Sequence, residues 1–174
     1  GTWYLFDTTV AAFRLLKDVR PDAKLLIVNR GEHALIAEKL LAGGVDPADV
    51  ELRQADPAEI PALMARMVAT IFFIKPVFSK QASAPTKLAE FLGCGIPCLA
   101  NSGVGDMAGI LREDRVGVAV DAFDGASLRQ GVQDLLSLCG EPGVRQRCVQ
   151  SAQRRFSLEE GVRRYVAVYR SLSA

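Results

Sequence analysis

The sequence predicts an α/β domain: a Rossmann-like parallel sheet of about five or six strands, helices on both faces, and a helical C-terminal tail. Three observations predict it. Apolar runs of strand length alternate with amphipathic segments of helix length through residue 120. The runs around Leu25, Phe72 and Leu99 are continuous rather than alternating, as strands buried on both faces require. Beyond Ala126 only helical patterns follow. At 174 residues the chain fits one domain, residues 1–174, able to bury a core without disulfides or metal.

Taken in order, Gly1-Thr2-Trp3-Tyr4 is an abrupt start, as if cut from something longer, and Leu5 to Val19 reads as an amphipathic helix. Pro21-Asp22 makes a turn before the first strand, Lys24 to Asn29. Arg30-Gly31-Glu32 follow at its carboxyl end, the edge of a parallel sheet where ligands bind. Arg30 is therefore a candidate diphosphate contact, or else a surface salt-bridge partner. A helix from Glu32 to Leu41 ends at Gly43-Gly44. Val50 to Arg53 is the second strand, and Asp56 is the N-cap candidate of a helix from Ala58 to Met67 whose Met64 and Met67 fall at core spacing. Thr70 to Ile74 is the third strand and Ile96 to Ala100 the fourth, broken by Asn101-Ser102-Gly103. A short helix from Asp106 to Leu111 precedes the last strand, Val116 to Val120. The tail reads as helices at Ala126 to Leu138, Gly143 to Phe156 and Leu158 to Leu172. Its Arg154, Arg155, Arg163, Arg164, Tyr165 and Tyr169 fit helices with one polar and one packed face.

The function is expected between Phe78 and Asp106. Pro85 presets a first helical turn beginning at Thr86, and Gly93 and Gly95 end the last one. Such a helix start offers unpaired N–H groups and the positive end of a dipole, and Lys80 and Lys87 add cationic side chains around it. Together these make a candidate seat for a phosphate or diphosphate. Glu90, one turn further on, is placed to reach a hydroxyl beside that phosphate. The alternative is two solvated lysines and a helix-forming glutamate facing water.

Composition narrows the partners. A net charge of +1 argues against a general nucleic-acid binder, so a small molecule is expected instead. The four cysteines lack CxxC spacing and there is one histidine, His33, so no metal site is expected and the thiols read as reduced. No signal peptide or membrane-length apolar run is present, which predicts a cytoplasmic setting with no visible membrane contact.

A rival motif lies at Gly103-Val104-Gly105-Asp106-Met107-Ala108, which fits the loose dinucleotide fingerprint, with Asp121 at the end of the next strand as the ribose acid. It would make the chain an NAD(P) oxidoreductase. Against it stand the very short following helix, its position at the fourth strand and the little sheet that remains.

The stretch Ser83 to Asp106, SAPTKLAEFLGCGIPCLANSGVGD, resembles the glutamate-bearing helix, Cys-Gly-x-Pro and apolar strand of the C-terminal, donor-binding half of a GT-B-fold glycosyltransferase of the retaining group 1, or family 4, type. Lys80, Ser83 and Pro85-Thr86-Lys87 resemble the pattern of one subgroup. Gly1 to Tyr4 resembles the end of the strand that opens this domain, and Val50 to Met64 the elements that flank the base, so the resemblance covers the whole chain. It implies that Glu90 bonds the donor's ribose and that Thr86 and its neighbours, Ser83 and Pro85 among them, form the helix start that holds the diphosphate through backbone N–H groups, with no metal or other cofactor; Lys80, Lys87 or Arg30 are the candidates for its positive charge. It also implies a hexosyltransferase acting in polysaccharide or glycoconjugate biosynthesis, whose acceptor is held by an N-terminal domain missing here, so that this fragment alone is inactive. Two departures stand out. Where the family's Glu-x7-Glu motif has its first glutamate this sequence has Ala82, and the cations usual at the opening loop are not found at Gly1 to Tyr4. The catalytic residues are therefore left unassigned, and a non-catalytic nucleotide-sugar-binding module is the alternative.

Overall fold

The computed structural model describes residues 3–172. In chain order the elements are α1 (Phe6–Val19), β1 (Leu25–Val28), α2 (His33–Ala42), β2 (Val50–Arg53), α3 (Ile60–Ala65), β3 (Thr70–Ile71), α4 (Thr86–Gly93), β4 (Cys98–Asn101), α5 (Met107–Glu113), β5 (Gly117–Val120), α6 (Gly125–Cys139), α7 (Val144–Phe156) and α8 (Leu158–Leu172). The architecture is the expected one, with parallel strands, helices around them and a helical tail. The five strands are hydrogen-bonded as a pair, β1-β2, and a triplet, β3-β4-β5, all parallel.

Strand alternation builds the layers. In β4, Cys98 and Ala100 face one core with Leu88 and Leu92 of α4, Met107 and Ile110 of α5, and Cys148 of α7. Leu99 faces the opposite core with Ala12 of α1 and Val132 and Leu135 of α6. All four residues of β4 are buried, as a central strand covered on both faces should be. A third cluster packs Val10 and Phe13 of α1 and Ile36 and Leu40 of α2 against Leu25, Ile27, Val50 and Leu52. Continuous apolar patterning is thus explained at β4, while β1 and β2 are half-buried throughout.

Several local expectations are corrected. Asp56 is not a helix cap: its N–H donates to Glu59 Oε2 at 2.8 Å, its carbonyl accepts from Glu59 N, and α3 starts a turn later after Glu59. Asn101 does not break the fourth strand but is its last residue, 1% exposed. Its carboxamide accepts from Ile74 N at 2.8 Å and donates to Ile74 O at 2.9 Å, replacing a stretch of ladder with side-chain amide chemistry. The opening segment is no parallel strand within the described residues. Tyr4 bridges Ile74 in antiparallel sense, with Lys75 N donating to Trp3 O at 2.9 Å and Leu5 N to Phe73 O at 2.8 Å, while Gly1 and Thr2 lie outside the described residues.

The tail divides. In α7, Arg155 donates to Asp114 at 2.7 and 2.9 Å, Arg154 pairs with Asp114 at 3.1 Å, and Ser151 donates to the same carboxylate, which clamps the end of α5 to α7. Arg155, more than the others, holds the Asp114 carboxyl well below the usual carboxylate range against the opposing effect of desolvation. In α8, Arg163 and Arg164 close onto Glu160, as the polar-face reading expects, but no residue of the helix is buried, and Tyr165 and Tyr169 are exposed. The packed face expected there is absent among the described residues.

Candidate functional site: a cationic seat at the start of helix α4

Leu88 and Leu92 are buried in the core, which fixes α4 and turns Thr86, Lys87 and Glu90 outward. Pro85 is the residue before the helix, extended at φ −67° and ψ 114°, and among the described residues no side chain caps the helix N-terminus. The first-turn N–H groups therefore meet no side-chain acceptor. In the loop before it, a 3-10 turn at Phe78–Lys80 is followed by Ser83, whose N–H donates to Lys80 O at 3.1 Å.

Neither lysine near this helix start is a plain solvated charge. Lys80 Nζ lies 4.5 Å from the centroid of the Trp3 ring, and Lys87 Nζ lies 4.0 Å from that of Tyr4. Among the described residues, neither makes an ion pair with a carboxylate. Desolvation pushes the Lys87 ammonium below its ordinary value although the residue as a whole is exposed, and the nearby Glu90 works against that shift. The Tyr4 phenol is pushed up, first by burial and then by the charge of Glu90, so it stays neutral around pH 7. Tyr4, Lys87 and Glu90 thus form one electrostatic group, with Lys80 and Trp3 beside the adjoining strand end. Sequence reasoning missed Trp3 and Tyr4, because it searched the opening segment for cations; no spacing rule links rings at the chain start to lysines far along it.

No protein-family model matches the sequence, and no curated protein matches it. Solved structures do match in fold. WaaG, a glycosyltransferase involved in lipopolysaccharide biosynthesis, superposes at TM-score 0.63 and 17% identity over 85% of this chain and 38% of its own. The pneumococcal O-GlcNAc transferase GtfA, solved with UDP and GlcNAc, gives 0.68 and 14% over 100% of this chain and 34% of its own. AviGT4, a glycosyltransferase involved in avilamycin A biosynthesis, gives 0.59 and 19% over 99% of this chain and 49% of its own. The fold is that of the C-terminal half of a GT-B glycosyltransferase. This chain spans about a third to a half of the length of the chains it matches.

Within this GT-B half, Arg30 stands apart from the other candidates. It lines a hollow of ≈ 260 Å³ at the carboxyl ends of β1 and β2 with Val28, Asn29, Ala55, Pro57 and Ile60, and none of Lys80, Thr86, Lys87 or Glu90 shares that lining. Among the described residues Arg30 forms no ion pair, so the salt-bridge alternative is not realised there. The expected elements Val50 to Met64 do supply one wall of the hollow. His33 is engaged locally, its Nε2 2.7 Å from Asn29 O, and no group of three metal-ligating side chains forms among the described residues.

The glycines of the rival motif serve chain packing. A Cβ on Gly105 would lie 1.9 Å from Ser83 O, and Gly105 N donates to Lys80 O at 3.0 Å. A Cβ on Gly103 would lie 2.9 Å from Pro76 Cβ, and both glycines have positive φ. The space that a dinucleotide motif keeps for pyrophosphate is filled by the loop carrying Ser83. Asp121 is held by Ser102 and by Arg112 at 2.9 Å, which together lower its pKa. No helix of the described residues is long and apolar enough to cross a membrane.

Proposed function

We propose that this chain is the donor-binding domain of a glycosyltransferase that transfers a sugar from a nucleoside-diphosphate sugar, with retention, to a glycan or glycoconjugate in the cytoplasm. The observation that carries this reading is the pair of ring-held lysines, in no ion pair among the described residues, flanking a helix start whose N-cap residue Pro85 offers no side-chain cap, in a GT-B half. In it the diphosphate sits on the Thr86 and Lys87 N–H groups between the Lys80 and Lys87 ammoniums, with Pro85 and Ser83 shaping the loop. Glu90 accepts hydrogen bonds from the ribose hydroxyls, and the base enters the hollow lined by Arg30, Ala55, Pro57 and Ile60. As the diphosphate departs, the seat meets the charge that develops on it, which is where fixed donors lower a barrier most. The acceptor is held by a second, N-terminal domain of a longer protein, so the chain by itself binds donor without turning it over. GtfA was solved with UDP and GlcNAc, a precedent of ligand class for this fold.

A second reading follows from one residue. Ala82, exposed in the loop, stands where a donor-sugar carboxylate would be expected, which favours a module that binds a nucleotide sugar without transferring it. Calorimetric titration with UDP, GDP and NADPH tests the binding common to both readings. One nucleoside diphosphate should bind, and Glu90→Ala should weaken it about tenfold, as expected for lost hydrogen bonds to two hydroxyls. Tight binding of NADPH indifferent to Glu90 would defeat both. Turnover of the matching sugar nucleotide with the second domain present separates transferase from module.

A further inference from the structure

The lysines of this protein fall into differently held groups. Lys17 and Lys24 end on Asp49 at 2.7 and 2.9 Å, and Lys39 ends on Asp7 at 2.6 Å. Lys80 and Lys87 end on aromatic rings instead. The chemical consequence is large. A carboxylate fixes an ammonium by cancelling its charge, whereas a ring face attracts it through a quadrupole and leaves the net charge and the outward N–H donors for another partner. The segment that carries the rings is itself tied down, because Lys75 N donates to Trp3 O, Leu5 N donates to Phe73 O, Tyr4 bridges Ile74 between them, and Ile74 is gripped by buried Asn101. A chain of fixed contacts therefore runs from the buried end of β4 to both ammonium groups.

We propose that Trp3 and Tyr4 are positioning residues of the diphosphate seat: their ring faces hold the Lys80 and Lys87 ammoniums in place, still charged, for a nucleoside diphosphate. This rests on the donor-binding reading above and extends it to residues that touch no ligand. It also explains how the chain manages without cations in its opening segment, where the family resemblance would put them. That segment supplies the rings, and the loop and helix supply the charges. The neutral state of the Tyr4 phenol is consistent with this role, since a phenolate would close onto the ammonium as a carboxylate does.

Trp3 is the only tryptophan of the sequence, so intrinsic emission reports on the Lys80 contact directly. The experiment uses whichever of UDP and GDP the unaltered protein binds, with variants Trp3→Leu, Tyr4→Leu, Trp3→Phe, Tyr4→Phe and Lys80→Met. Each leucine variant should weaken binding about two- to fivefold, the range of an exposed cation–π contact. The phenylalanine variants, which keep a ring face, should recover most of the loss. In Tyr4→Leu, and without nucleotide, Lys80→Met should shift the emission of Trp3, and the nucleotide should shift it in the unaltered protein. Leucine variants that keep native circular dichroism and bind as the unaltered protein does would overturn the positioning role and leave the seat intact. Equal losses in the leucine and phenylalanine variants would overturn it too, by showing that side-chain size rather than the ring matters. An unaltered protein that binds neither UDP nor GDP would overturn the donor-binding reading itself.

Discussion

The polar groups under the sheet edge and between α5 and α7 are closed, while those at the start of α4 are open. Asn101 spends its carboxamide on Ile74 and Ser102, and Asp114 accepts from Arg155 and Ser151 and pairs with Arg154. Among the described residues Lys80 and Lys87 make no such ion pair and rest on rings. The difference separates structure from function by how charge is compensated. A buried or half-buried polar group that meets its full complement inside the protein stabilises the fold and has nothing left for a ligand. A cation located by a ring remains an incomplete interaction that an anion can complete.

The comparison is broken most severely at Asn101. Asn101→Ala leaves the N–H and the carbonyl of buried Ile74 without these partners beyond the end of β3 and should cost about 3 kcal/mol, read as a lower urea midpoint with an unchanged slope. It should also loosen the platform under Trp3 and Tyr4, so any nucleotide binding falls with it.

Asp114→Ala comes next. It removes the partner that Arg155, Arg154 and Ser151 share, leaves Arg155 with Glu113 alone among the described residues, and with Arg155 partly solvated the expected loss is about 2 kcal/mol. The carboxyl is depressed in the folded state, so its contribution is fully present above its unfolded pKa of 3.8 and is lost as the pH falls below that value toward the folded one. The wild-type protein should lose stability along that acid limb, and Asp114→Ala should flatten it. A limb of the same depth in both proteins would show that the α5–α7 clamp is not what acid breaks.

Lys80→Ala with Lys87→Ala sharpens the other side. The double variant should weaken nucleoside-diphosphate binding by well over tenfold while moving the urea midpoint little, because no folded-state ion pair is lost. Binding by the unaltered protein should fall with added salt, and the double variant should be less salt-sensitive. A large stability loss with unaltered affinity would assign the two lysines to structure.

The smallest effect is expected at Glu160→Gln. Arg163 and Arg164 pull that carboxyl down to about 2, but both guanidiniums are largely exposed to solvent on α8, so the urea midpoint and any nucleotide affinity should not change measurably. A clear loss would mean that α8, which buries nothing among the described residues, is better packed in solution.

Much of this was legible along the chain because it is local. Thr86 to Gly93 shows its start in Pro85 and its buried face in Leu88 and Leu92, and Cys98 to Ala100 shows a strand covered on both sides. The candidate site was legible as a local cluster: the helix start, Lys80, Lys87 and Glu90 lie within a dozen or so residues of one another. Asp56 misled because an Asp-Pro pair signals a cap one turn before the helix that Glu59 in fact opens. Asn101 misled because asparagine in a strand reads as a breaker until a backbone partner is seen opposite it.

The sequence by itself determined the fold class, the element order and where along the chain the candidate seat lies, since these depend on apolar periodicity and on residues adjacent in the chain. Only the tertiary structure decided which charges are closed and which stay open. Asp114 meets Arg155, Asn101 meets Ile74, and Trp3 and Tyr4 meet Lys80 and Lys87 across separations that no local pattern encodes. Those meetings are fixed by how the helices and strands pack, and packing turns similar side chains into a clamp at one end of the sheet and an open cationic group at the other.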